Sequence, residues 1–133
     1  MHPRPDLLFI PDFLDEPDRH LHQLLETVTW DTWMRARRTA SYEDGQSSMG
    51  FHSDECEVLE PGTGVAILSL GDSREIRFRS KADREHEVAW TLPSGSLLYM
   101  DQAVQAHWLH AIPRTAAAGP RISLTFRRLR AAP

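Results

Sequence analysis

Cysteine is almost absent from this 133-residue chain, in which Cys56 is the single example. One cysteine cannot form an internal disulfide, and it cannot supply the several thiolates of a structural zinc site. We therefore expect a protein of a reducing compartment, namely the cytoplasm.

Long apolar runs and an excess of positive charge are also missing. No hydrophobic stretch approaches the about 20 residues that cross a bilayer, and the short N-terminal apolar stretch is interrupted by Pro11. We therefore expect no membrane association and no signal peptide. The formal net charge is −4 and the pI is near 5.9, whereas strong non-specific binders of nucleic acid are basic. The net charge of the chain therefore gives no support to strong non-specific binding of nucleic acid.

The composition that remains is that of a soluble globular protein, with 41% hydrophobic and 26% charged residues. The chain is long enough to bury one hydrophobic core, and it contains no internal repeat and no low-complexity linker. We predict a single domain over residues 1–133 and expect it to be a monomer.

The N-terminal part of the chain predicts one short strand and one helix. LLFIPDFL (Leu7–Leu14) is typical of a short strand. Asp15 can cap the helix that follows. Apolar residues then recur at helical spacing from Leu21 to Val28, so we predict that this helix continues to about Trp30.

After Arg38 the pattern changes to short β-type runs separated by turn residues. In IRFR, Ile76 and Phe78 alternate with two arginines, which indicates a half-buried strand with the arginines facing out. One helix followed by about eight strands predicts a mainly β (α+β) fold, a double-stranded β-helix (jelly roll) with an N-terminal helix. The predicted strands are Thr39–Tyr42, Met49–Ser53, Gly64–Leu70, Glu75–Arg79, Val88–Leu92, Ser96–Met100, Ala106–Ile112 and Arg121–Arg128.

His52 and Asp54 form the first candidate for a functional site. They lie at i and i+2, so on one strand their side chains point to the same side. Two imidazoles and one carboxylate are the facial triad of non-haem iron(II) oxygenases. The third ligand has to come from a distant strand, and the residues alone leave His107 and His110 both open. An HxD pair by itself is weak evidence, because histidine is also common at half-buried strand ends.

The last predicted strand, PRISLTFRR, suggests an anion site. Arg121 and Arg127 lie six residues apart and therefore on one face of an extended strand, with Ser123 and Thr125 between them. Inward charges without a partner cost several kcal/mol, and an anionic ligand would remove that cost. Guanidinium binds carboxylate through two parallel hydrogen bonds, and a dicarboxylate could engage both a metal and an arginine.

The region from Met49 to Arg128 resembles the AlkB-like iron(II)/2-oxoglutarate-dependent dioxygenases. The segments HSDE, LEPGTGVAILSLG, LPSGSLLYM, HWLHAIP and PRISLTFRR occur in the order of that family. The resemblance implies the jelly-roll fold, with His107 as a neighbour of the metal site only. The implied iron ligands are His52, Asp54 and His110. The implied contacts of 2-oxoglutarate are Tyr42, Arg121, Thr125 and Arg127, with Arg121 on the far carboxylate.

The resemblance also implies an activity, the oxidative demethylation of an N-alkylated base in DNA or RNA as a repair reaction. The expected cofactors are Fe²⁺ and 2-oxoglutarate, and dioxygen is the co-substrate. Ala40 and Cys56 stand where the family often has an asparagine and where its repair members tend to have an acidic residue, and the segment before His52 is short. These departures keep two alternatives: an oxygenase that acts on a small molecule or a protein, and a non-catalytic module that binds metal or 2-oxoglutarate.

Overall fold

The protein folds as two antiparallel β-sheets, one of which carries a helix. The computed structural model describes residues 4–27, 39–42, 49–53, 56–115 and 119–131. None of the helices in these ranges is long and apolar enough to cross a membrane. The elements in chain order are β1 (Leu8–Ile10), α1 (Pro17–Thr27), β2 (Thr39–Tyr42), β3 (Met49–His52), a 3₁₀ turn (Cys56–Val58), β4 (Val65–Gly71), β5 (Arg74–Ser80), β6 (Glu87–Leu92), β7 (Leu97–Met100), α2 (Gln102–His107), β8 (Trp108–Ile112) and β9 (Arg121–Arg127).

The nine described strands are divided between the two sheets in a jelly-roll order. Five strands form one sheet in the order β1-β7-β4-β9-β2, and four form the other in the order β3-β8-β5-β6. From β3 to β9 the chain crosses repeatedly from one sheet to the other, which is the connectivity of a double-stranded β-helix. The predicted mainly β fold with an N-terminal helix is confirmed.

The main hydrophobic core lies between the sheets. In β5, Ile76 and Phe78 are fully buried, while Arg77 and Arg79 alternate with them and stay partly exposed, as the IRFR pattern predicts. Because every strand of a jelly roll turns one face inward, the core is assembled from many short runs. Its buried members are Leu59, Val65, Ile67, Ile76, Phe78, Leu92, Leu98, Met100, Val104, Trp108 and Ile112.

Helix α1 covers the outer face of the five-stranded sheet. Leu21 packs there against Leu70 and Ile122 in a second, smaller core. Strand β4 is therefore buried on both faces, which explains why it is an almost continuous apolar run rather than an alternating one. The helix begins at Pro17, and the carbonyl of Glu16 accepts from His20 N at 3.5 Å, so the predicted cap at Asp15 is wrong by one residue. The predicted end near Trp30 lies outside the described residues.

Helix α2 is the element that sequence analysis missed. We predicted a strand over Ala106–Ile112, but β8 begins only at Trp108 and a helix precedes it. The Asp101 carboxylate caps that helix by accepting a hydrogen bond from Val104 N at 3.0 Å. Because Val104 is buried on the helix, packing and capping together outweigh the strand-like pattern. The boundary matters for function, since it puts His107 on a helix and His110 on a strand.

Candidate active site

The imidazoles of His52 and His110 face each other across two neighbouring strands. His52 ends β3, and its register partner on β8 is His110. The ring centroids are 4.3 Å apart and the planes are inclined by 56°. Both side chains line the same cavity between the sheets, and His110 is only 5% exposed. The pairing of β3 with β8 therefore creates a two-imidazole site from residues 58 positions apart in the chain, His52 and His110.

A backbone contact sets the orientation of the His52 ring. Its Nδ1 lies 2.8 Å from the carbonyl oxygen of Gly50. A carbonyl can only accept, so Nδ1 donates its proton and the neutral ring keeps its lone pair on Nε2. Metal-ligating histidines are commonly fixed in this way by a hydrogen bond from the other ring nitrogen. His52 thus has the tautomer that a ligand needs.

The predicted third ligand, Asp54, lies outside the described residues, and its role stays a prediction. Within the described ranges no group of three or more histidine, cysteine, aspartate or glutamate side chains is placed to hold a metal. His107 is exposed and lines a different surface groove together with Lys81 and Trp108. The structure thus brings His110, and not His107, to His52.

The opposite wall of the cavity comes from β9. Arg121, Ser123, Thr125 and Arg127 all line it, as expected from their common strand face. Arg121 is fully buried at 0% exposure, and its Nη2 donates a hydrogen bond to Ser69 Oγ at 2.9 Å. A carboxylate bound in the cavity could accept two parallel hydrogen bonds from such a guanidinium. This wall is suited to an anionic ligand.

Tyr42 meets this wall through the backbone. It is the register partner of Arg121, at the end of β2. Its predicted hydrogen bond to 2-oxoglutarate stays a prediction.

Apolar side chains close the cavity between the histidines and the arginines. Apolar walls disfavour water, and a drier cavity would strengthen the electrostatic interactions of a charged ligand inside. Sequence analysis assigned none of them to the site, because they resemble ordinary core residues. These wall residues are Met49, Val65, Ile67, Ile76, Met100 and Ile112.

Sequence analysis also missed Ser69, although a signal was available. In VAILSLG it is the one hydroxyl residue of an otherwise apolar strand. Val65 and Ile67 belong to the core between the sheets, so strand alternation places Ser69 on the same inward face.

The donor set fits a divalent transition metal together with a carboxylate ligand. Imidazole nitrogens are suitable ligands for iron, zinc, copper and nickel. Arg121, a buried guanidinium in the same cavity, would supply the counter-charge for an acid bound next to the metal. His52 and His110 can hold the metal, and Arg121 and Arg127 can hold the acid.

Comparison with known proteins agrees with this geometry. The family model of the 2OG-Fe(II) oxygenase superfamily matches residues 39–127. The chain is 36% identical over 96 residues to the DNA oxidative demethylase ALKBH2 of Homo sapiens, which covers 66% of this chain and 37% of that protein. It is 31% identical over 131 residues to the alpha-ketoglutarate-dependent dioxygenase alkB homolog 3 of Homo sapiens, covering 84% of this chain and 44% of that protein. The chain therefore spans less than half the length of these curated relatives.

Proposed function

Because the chain belongs to the 2OG-Fe(II) oxygenase superfamily and is AlkB-like, we propose that it oxidatively demethylates an N-alkylated base of a nucleic acid. The observation that carries the proposal is one shared cavity. It is lined by the paired imidazoles of His52 and His110 on one side and by Arg121 and Arg127 on the other. A metal and a dicarboxylate can therefore be bound next to each other.

His52, Asp54 and His110 would hold iron(II). When bound, iron(II) supplies the activation of dioxygen that couples decarboxylation of 2-oxoglutarate to oxidation of an alkyl carbon. The protein contributes geometry: the Gly50 carbonyl keeps the proton of His52 on Nδ1, so that Nε2 can ligate.

Arg121 would bind the far carboxylate of 2-oxoglutarate. The planar guanidinium offers two parallel hydrogen bonds to a carboxylate, and its burial makes this ion pair strong. Thr125 and Arg127 lie further along the same face of β9. They would contact the remaining part of the co-substrate, together with Tyr42.

The substrate class rests on the relatives. One is named a DNA oxidative demethylase and the other an alpha-ketoglutarate-dependent dioxygenase. A second candidate is an oxygenase that acts on a small molecule or a protein, and the net charge of −4 favours it, because nucleic-acid contacts depend on neutralising phosphates. The third is a module that binds the metal or 2-oxoglutarate without turnover.

Product analysis separates these functions. The protein is incubated in air with iron(II), 2-oxoglutarate and an N-methylated oligonucleotide, and succinate and formaldehyde are measured. We expect both products in equal amounts, with no formaldehyde from the unmethylated oligonucleotide. The Arg121→Ala variant should form neither product at limiting 2-oxoglutarate. Turnover with methylated amines or peptides alone would support the second candidate, and binding without any product would support the third.

We also propose that the protein acts as a cytoplasmic monomer of one domain. The single cysteine is typical of a reducing compartment. Size-exclusion chromatography with light scattering should give a mass near 15.2 kDa. A concentration-independent dimer mass would contradict the monomer.

A further inference from the structure

Ser69 is a buried hydroxyl residue in the centre of the five-stranded sheet. It is 1% exposed, and its Oγ accepts the hydrogen bond from Arg121 Nη2 at 2.9 Å. Arg121 lines the cavity, whereas Ser69 is not among the described residues that line it. Ser69 therefore contacts the arginine from behind the described cavity lining.

The backbone around Arg121 is fixed by contacts that do not involve Ser69. Gly71 is the register partner of Arg121, and a Cβ at Gly71 would lie 2.3 Å from the carbonyl oxygen of Pro120. The carboxylate of Asp72 accepts a hydrogen bond from Gly119 N, and Asp72 N donates to Pro120 O at 3.0 Å. These contacts determine where the Cα of Arg121 lies. Its long side chain is held in addition by the hydrogen bond to Ser69.

We propose that Ser69 is the positioning residue that presents the Arg121 guanidinium to the far carboxylate of a dicarboxylic 2-oxo acid. The hydroxyl holds Nη2, so the planar guanidinium is kept in one orientation toward the cavity. Two parallel hydrogen bonds require this plane to match the plane of the carboxylate. The inference rests on the proposed function and assigns to Ser69 a part in the selection of 2-oxoglutarate over shorter 2-oxo acids.

Two co-substrates test this role in the protein loaded anaerobically with iron(II). 2-Oxoglutarate and pyruvate carry the same 2-oxo acid group, but pyruvate lacks the far carboxylate. Each acid is titrated, and its apparent Kd is read from the weak visible band of the iron chelate. In Ser69→Ala we expect the Kd of 2-oxoglutarate to rise about tenfold, because hydrogen bonds to charged groups are among the stronger ones. The Kd of pyruvate should change less than about twofold.

Ser96→Ala is the matched control. Ser96 is 0% exposed, and its carbonyl accepts from Ser69 N at 3.0 Å, so it is an immediate neighbour. In the described part of the chain its hydroxyl has no hydrogen-bond partner. We expect unchanged affinity for both acids. If Ser69→Ala does not fold, Ser69→Cys replaces it, since the thiol has a similar size and is a weak hydrogen-bonding group.

The outcomes are distinct. An equal loss for both acids in the Ser69 variant would assign Ser69 a structural role and overturn the inference, and so would an unchanged Kd for 2-oxoglutarate. A wild-type protein that gives no chelate band with either acid would instead contradict the proposed function, and the inference would fall with it.

Discussion

The two sheets contribute different chemistry to one cavity, and they hold it differently. Among the described strands, β3, which carries His52, is an edge strand that pairs with β8. Arg121 lies on β9, which is paired on both sides, with β4 and β2. His52 is half-buried, whereas Arg121 is fully buried. On the metal side, His52 thus lies at the edge of a sheet and His110 lies on the interior strand β8, whereas Arg121 on the anion side lies on an interior strand.

The chemistry of the two side chains explains the difference. A neutral imidazole is desolvated at moderate cost, and Gly50 can fix its ring from the same strand. A guanidinium cannot lose its charge by deprotonation, so a buried one needs firmly placed partners. We therefore expect that metal binding can be abolished without loss of the anion site, and anion binding without loss of the metal site.

The largest effect is expected from loss of a metal ligand on the four-stranded sheet. His110→Ala should reduce iron(II) affinity by more than about 100-fold, since even partners around a ligand contribute about 10- to 100-fold. His107→Ala is the control, because that side chain is exposed away from the cavity. Anaerobic equilibrium dialysis with metal analysis measures both. A larger loss in His107→Ala would overturn the ligand assignment.

Removal of the buried Arg121 side chain should weaken 2-oxoglutarate binding and leave metal binding almost unchanged. Arg121→Ala should weaken 2-oxoglutarate binding by roughly 30-fold or more, because truncating one partner of a buried charge pair costs about 2–5 kcal/mol. Iron(II) affinity without 2-oxoglutarate should stay within about threefold. Arg128→Ala, an exposed arginine just after β9, is the control. Calorimetric titrations that show equal losses for metal and acid would make Arg121 a structural residue.

Substitution of one glycine in each sheet tests how closely the backbone is packed around it. Gly71 has φ +95°, and an added Cβ would meet Pro120 O at 2.3 Å, whereas Gly50 on β3 has open space around it. Gly71→Ala should lower the free energy of unfolding by about 1–3 kcal/mol. Gly50→Ala should change it by less than about 0.5 kcal/mol. Urea unfolding measures both, and a neutral Gly71→Ala would remove the argument that β9 is tightly held.

The smallest effect concerns the outer face of the four-stranded sheet. The Arg79 guanidinium lies 3.9 Å from the ring centre of Phe51 on the edge strand, and its Nη2 lies 3.0 Å from Glu87. Arg79→Ala should cost about 0.5–1 kcal/mol of unfolding free energy, since both contacts are partly solvated. The comparison is Arg77→Ala, which breaks more exposed ion pairs with Glu75 and Glu87 and should cost less. If Arg79→Ala lowered the free energy of unfolding more than Gly71→Ala, the edge strand β3 would be held more tightly than β9.

Much of the fold could be predicted because strand alternation and turn residues are local signals. β5 shows this directly, since its buried and exposed residues follow the period of two. Sequence analysis missed the start of β8 although the cap at Asp101 is a local signal. The burial of Val104, which also favours the helix, is a tertiary fact. That boundary also separates His107 from His110. Residue spacing left both histidines open, and only the family resemblance indicated His110.

The anion wall was predictable to a greater extent than the metal pair. Arg121 and Arg127 share a face through strand geometry alone, and the cavity lining agrees with it. The partner of Arg121 was not predicted, because Ser69 lies 52 positions earlier in the chain and meets it only through the pairing of β4 with β9. The local pattern of apolar and polar residues does not predict which distant strands pair.

One anaerobic optical titration tests most directly whether the histidines bind the metal and Arg121 binds 2-oxoglutarate. Iron(II) and then 2-oxoglutarate are added to the wild-type protein, to His110→Ala and to Arg121→Ala, and the weak visible charge-transfer band of the chelate is followed. We predict a saturable band in the wild type, no band in His110→Ala, and a band that needs far more 2-oxoglutarate in Arg121→Ala. A wild-type protein without a band, or a His110→Ala variant that keeps it, would contradict the account.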